Sequence, residues 1–174
     1  MNEHLKNKRE FLLRKNKGKG FNELYINDLK LLLFEEPSIN EFISLEETDS
    51  FKNIHFEKGF YRNYENQDIN DLNGLIQYFS NHIVQKYSFL FTYYTQYCGT
   101  IKIKTKDFLV NYMNIEAIKG SIGSILSEDL ENELLIDFND KKVCIEVKGH
   151  QWEKIVSSYY DSPASSDMLK VHNH

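Results

Sequence analysis

Residues 134–150 read LLIDFNDKKVCIEVKGH, and the alternation in this stretch decides how the C-terminal half of the chain is built. Two runs of period-two patterning flank a turn centred on Asp140-Lys141. In that register Asn139 faces Lys142, Asp137 faces Cys144 and Glu133 faces Lys148. Successive side chains of a strand point to opposite sides. Leu134, Ile136, Phe138, Val143, Ile145 and Val147 therefore form a wholly apolar face, and Glu133, Leu135, Asp137, Cys144, Glu146 and Lys148 form the other. The expected element is a two-faced antiparallel hairpin with its oily side on a core and its charged side in water. Glu133 and Lys148 make a cross-strand ion pair in it.

Working outward, Trp152, Ile155, Val156 and Tyr159 recur at helical spacing and predict a short helix from Gln151 to about Tyr160, packed on the apolar face of the hairpin. Upstream, SFLFTYYTQYCGTIKIKTK reads as two strands joined around Cys98-Gly99-Thr100. Ile101, Ile103 and Thr105 alternate there with Lys102, Lys104 and Lys106, which should face water. Such a lysine row either blunts an edge strand or meets phosphate. Residues 107–132 are ambiguous between strand and helix, and Gly120 and Gly123 argue against one uninterrupted helix. Asn70 is expected to cap the best helix of the chain, whose stripe is Leu72, Leu75, Ile76, Phe79, Ile83 and Tyr87. Residues 52–67 are aromatic but irregular, with a turn at Gly59. Ser38 is a plausible cap for a short helix after Pro37, and Leu24, Tyr25, Leu29, Leu32 and Leu33 give a helix before it. Residues 1–20 read as a separate charged helix that ends at Gly18 and Gly20.

The fold class expected is α+β: N-terminal helices packed on a mainly antiparallel C-terminal sheet, with a final short helix. Residues 1–20 form a basic arm and residues 21–174 a single domain. The chain has 174 residues, 41% hydrophobic and 27% charged, enough to bury one core and stay soluble. No apolar run approaches the roughly 18 residues that span a bilayer. Nothing near the N-terminus has the form of a signal peptide. Two cysteines, Cys98 and Cys144, are too few for a disulfide framework and have no zinc-ligand spacing. A cytoplasmic protein with reduced thiols is expected. Charge is uneven: residues 1–20 hold seven Lys/Arg against Glu3 and Glu10, a net +5, and the remainder of this −5 chain carries −10.

Asp137, followed by Glu146-Val147-Lys148 on the next strand, resembles the PD-(D/E)xK nuclease-like signature, with Ile136-Asp137-Phe138 in place of the usual Pro-Asp. The resemblance covers about 17 residues. It implies that Asp137 and Glu146 hold magnesium and that Lys148 orients the attacking water, giving a metal-dependent nuclease acting on DNA or RNA. Hard carboxylate oxygens suit that metal, which would lower the pKa of its bound water. The six histidines show no metal-ligand spacing, neither cysteine has a histidine at the spacing of a nucleophilic pair, and no strand-to-helix serine elbow is present.

The chain as a whole is also similar in style to bacterial toxin-immunity proteins, in size, acidity and composition. That similarity implies a non-enzymatic inhibitor with neither cofactor nor metal, steered by charge onto a basic partner such as a toxin nuclease domain. The contacts expected are Glu128, Asp129, Glu131, Glu133 and Asp137, with Tyr93, Tyr97 or Tyr159 as aromatic anchors. An acidic body suits a basic protein better than nucleic acid.

Overall fold

The computed structural model describes residues 3–56, 62–67, 69–139 and 142–161. Gly59, where a turn is expected, and the segment after residue 161 lie outside them.

The hairpin forms in the register its alternation dictates. Strand β5 (Glu133–Asn139) pairs antiparallel with β6 (Lys142–Lys148), with Glu133 opposite Lys148, Asp137 opposite Cys144 and Asn139 opposite Lys142. Among the described residues four more strands join the same sheet: β1 (Arg62–Gln67), β2 (Tyr87–Thr92), β3 (Ile101–Lys104) and β4 (Ile122–Ser127), in the order β1-β6-β5-β4-β2-β3. Every neighbouring pair is antiparallel. The lysine-bearing β3 is an edge strand, where Lys102 pairs with Glu128 and Lys104 with Asp107. Lys106 falls in the following helix, so the three lysines do not form one row along a strand.

Among the described residues six helices accompany the sheet: α1 (Glu3–Leu33), α2 (Leu45–Phe56), α3 (Ile69–His82), α4 (Thr95–Cys98), α5 (Thr105–Val110) and α6 (His150–Tyr160). The fold is α+β. Leu134, Ile136, Ile145 and Val147 on one sheet face join Leu72, Leu75, Phe79, Trp152 and Val156 in a single buried core. The indole of Trp152 meets Phe79 edge to face, with centroids 5.4 Å apart, a geometry that suits the ring quadrupoles. Thus α6 packs on the apolar side of the hairpin, as its stripe predicts, and α3 joins the same core. No helix among the described residues is long and apolar enough to cross a membrane.

Several local expectations are corrected. The break at Gly18 and Gly20 is absent, because α1 runs through both. Gly18 is kept small for packing: a Cβ there would lie 2.2 Å from the backbone oxygen of Tyr97 in α4. Asn70 is inside α3, which begins at Ile69, and Tyr87 belongs to β2, so the apolar stripe of α3 stops at Ile83. The connection from β2 to β3 is a helical turn, α4, rather than a tight loop. Ser38 precedes only a short 3-10 turn, Ile39–Glu41, where the Ser38 N–H donates to the Glu41 carboxylate at 2.7 Å. Residues 107–132 resolve into the rest of α5, a second 3-10 turn at Tyr112–Ala117, and β4.

Candidate functional site

The second face of the sheet, opposite the main core, carries what chemistry the fold offers. Strand pairing places Phe89 beside Leu126, Phe91 beside Ser124, Leu135 beside Glu146, and Asp137 beside both Ile122 and Cys144. Helix α2 lies across part of this surface. The Phe51 ring lies tilted against Phe89 with centroids 4.7 Å apart, the Lys52 ammonium sits 5.5 Å from the centre of the Phe91 ring, and the Thr48 hydroxyl accepts the Thr100 N–H at 2.9 Å. The bidentate Arg14–Asp49 pair ties α2 to α1.

Where α2 stops, the sheet is partly open. A hollow of about 340 Å³ is bounded by Lys52, His55, Phe91, Ser124, Leu135 and Glu146. A second, of about 330 Å³, shares Lys52, Phe91 and Leu135 and extends to Tyr93, Gln96 and Ile122. Together they form a groove with an aromatic and aliphatic floor and charge at its rim. Burial pushes the Lys52 ammonium below its ordinary pKa, and Asp49 opposes that shift.

One end of the groove is closed by a buried polar cluster. Glu133 is 9% exposed and Lys148 only 2%, although the two-faced hairpin predicts both in water. The reason is α2, which brings His55 down onto them. The His55 Nδ1–H donates to the Leu130 carbonyl at 3.1 Å, and Nε2 lies 2.8 Å from the Glu133 carboxylate. Ser124 donates to the other Glu133 oxygen at 2.7 Å. The Lys148 ammonium donates to the His55 carbonyl at 2.5 Å. Burial pushes the Lys148 pKa down, and Glu133 opposes that push. Leu130 holds a left-handed backbone conformation, φ 59, fixed by its N–H to Ser127 and its carbonyl to His55. Strain of this kind persists only where surrounding contacts over-determine it.

The residues singled out from sequence are thereby separated. Asp137 and Glu146 do share a face, but Lys148 is locked into the His55 cluster. Among the described residues no group of three or more His, Cys, Asp or Glu side chains is placed to hold a metal ion. Glu128 pairs with Lys102. Asp129 ties the β4–β5 turn by accepting from the Ser127 hydroxyl at 2.5 Å and the Glu131 N–H at 3.0 Å. Glu131 is exposed and Glu133 is buried. The Asp137 side chain, half-buried, has no hydrogen-bond or ion-pair partner among the described residues. Tyr93 and Tyr97 are half-buried, but Tyr159 is a core residue whose hydroxyl reaches the Asp71 carbonyl.

Burial pushes the Asp137 carboxyl above its ordinary value of 3.8. Just above pH 3.8 the native state then binds this proton more tightly than the unfolded chain does. Ionised Asp137 therefore costs stability at neutral pH, and the cost vanishes once both states are protonated. Asp137→Asn is expected to raise the urea midpoint at pH 7 and to leave it unchanged at pH 3.

His55, Lys52, Phe91 and Ser124 shape the groove and were not marked by any sequence motif. One signal was present: β2 is apolar on both faces, with Leu90 on one side and Phe89 and Phe91 on the other, which indicates cover on both. No family model, curated protein or solved structure matches this chain.

Proposed function

We propose that the protein is a non-enzymatic binding module, an acidic inhibitor of the immunity type that holds a basic segment of a protein partner on the open part of its sheet. The observation that carries this reading is the groove over Phe91 and Leu135, with the Asp137 carboxylate next to Ile122 on the same face and without a partner among the described residues. A half-covered apolar floor with carboxylates beside it suits a segment that carries an aliphatic or aromatic anchor and a neighbouring Lys or Arg. The net charge of −5 favours rapid encounter with a positive partner. The dispersal of Glu128, Asp129 and Glu133 into internal contacts moves the proposed contact surface from the β4–β5 turn to Asp137 and the groove.

A magnesium-dependent nuclease is the second reading, favoured by the shared face of Asp137 and Glu146. With Lys148 committed to the His55 carbonyl, that reading lacks the lysine its signature requires. Plasmid DNA and RNA incubated with the protein in magnesium or manganese are expected to remain intact. Cleavage that disappears in both Asp137→Ala and Glu146→Ala would overturn the binding-only reading. For binding, the partner to try is a basic toxin domain encoded beside this chain, measured by titration calorimetry and by relief of its nuclease activity. Asp137→Lys is expected to weaken that complex by about tenfold or more. Affinity untouched by both Asp137→Lys and Glu146→Lys would place the contact elsewhere.

A further inference from the structure

The outer side of α1 carries a feature unrelated to the groove. Tyr25, Leu29 and Leu32 turn into the core, yet Leu13, Leu24 and Leu31 of the same helix are 52%, 48% and 43% exposed. At 3.6 residues per turn, Leu13, Gly20, Leu24 and Leu31 line up within about 40° of one another, turned about 120° away from the buried stripe. A side chain added at Gly20 would meet nothing within 4 Å, so the row has an open notch at its middle. Phe34, just past the last turn, is 73% exposed. Singly exposed leucines are ordinary on a surface, but three aligned on one face of a helix around an open notch can seat a partner helix.

The spacing of the row says what fits it. Leu13 and Leu31 lie equally far from the midpoint between Gly20 and Leu24. Two copies of α1 laid antiparallel therefore bring each Leu24 onto the other's Gly20 notch and each Leu13 onto the other's Leu31. A contact in which the same patch serves both partners is the isologous form that closes as a two-fold dimer. Charge selects the same arrangement. Residues 3–19 carry seven Lys/Arg and two Glu, whereas residues 20–36 carry four Asp/Glu and one Lys. Arg14 is already engaged by Asp49, and in the second half Lys30 pairs with Glu36 and Asp28 accepts the Lys119 N–H, which leaves six basic residues in the first half to meet Glu23 and Glu35 in the second. Antiparallel pairing lays each positive half on the other copy's negative half and brings Arg9 to the C-terminal end of the other copy's helix, where Glu35 follows Leu33 and Phe34. Parallel pairing would stack like charge on like.

We propose that the protein self-associates through α1 as a two-fold antiparallel helix pair, with Leu13, Gly20, Leu24 and Leu31 at the seam. Sedimentation equilibrium of the full chain, across micromolar to millimolar concentration, is expected to show a monomer–dimer equilibrium that weakens with added salt. Leu24→Glu is expected to raise the dissociation constant by about tenfold or more. Arg9→Glu is expected to weaken the dimer as well, and Arg9→Glu with Glu35→Arg to restore it to within about threefold of the parent. All of these positions are exposed, so circular dichroism should report the same helix content in every variant. A chain that stays monomeric throughout, a dimer that Leu24→Glu leaves intact, or a double variant no tighter than Arg9→Glu would each overturn the proposal.

Discussion

Lys148→Met is expected to destabilise the fold by about 3–5 kcal/mol, the range found when one member of a buried ion pair is removed. Lys148 is 2% exposed and stands opposite Glu133 across the β5–β6 ladder. Its ammonium also anchors the end of α2 through the His55 carbonyl. Methionine replaces the stem but leaves the Glu133 carboxylate, only 9% exposed, without that neighbouring cation. The cost should fall largely on the Glu133 side. Glu133→Gln together with Lys148→Met is accordingly expected to cost clearly less than the sum of the two single changes. Urea denaturation at pH 7 reads all three variants and gives the coupling as a double-mutant cycle. Additivity within about 0.5 kcal/mol would show that the two charges do not support one another. The same series separates a structural lysine from a hydrolytic one, since a lysine that only orients water could be lost without loss of stability.

That lysine marks the boundary of what the sequence reveals. The β5–β6 register was legible to the residue because a strand has a period of two, and a one-residue slip would have turned Ile136 and Ile145 out of the core. Local pattern carries that information completely. It also placed α3 and α6, whose stripes at Leu72–Ile83 and Trp152–Tyr159 are strongly amphipathic. The environment of Lys148 depends instead on His55, 93 residues away, on a helix whose apolar positions are interrupted by Lys52 and His55. No local period announces that such a helix will cover the charged face of a hairpin. An acid and a lysine on one face thus look alike in sequence whether they meet water, a metal or another helix. The acidic run from Glu128 to Glu133 was opaque for the same reason. Asp129 is used by its own turn, Glu128 by the β3 edge strand and Glu133 by α2.

The site follows from this division of labour. One face of the sheet is closed by α3 and α6, so the groove had to arise on the other, beyond the reach of α2. The polar cluster at Glu133 holds α2 in place, and the edge of α2 then sets the width of the opening over Phe91 and Leu135. A change that loosens the cluster should therefore alter the groove before it reaches the main core. Lys148→Met tests this too, through faster amide exchange in α2 than in α3.

Gly18→Ala and Gly20→Ala, two residues apart in one helix, are expected to have opposite effects. Alanine is the better helix former by about 1 kcal/mol, and a reading of α1 alone would predict a gain at both positions. At Gly18 the added methyl would lie 2.2 Å from the Tyr97 carbonyl oxygen and 2.9 Å from its carbon. These are backbone atoms, held by α4 between β2 and β3, so they cannot swing aside as a side-chain tip would. Helix α1 and α4 must move apart, taking with them the Phe21–Tyr94 and Phe21–Tyr97 ring contacts. Overpacking of this kind costs about 1–3 kcal/mol, enough to outweigh the propensity gain. Gly20 has open space around it, and there the full gain of about 0.5–1 kcal/mol should appear in the monomer. Thermal and urea unfolding at dilute concentration, where self-association does not contribute, should show a lowered midpoint for the first variant and a raised one for the second. Equal effects at the two positions would mean that α1 does not rest on α4 at Gly18. The helix would then be a separable arm, as its two glycines and its run of basic residues suggest when read alone.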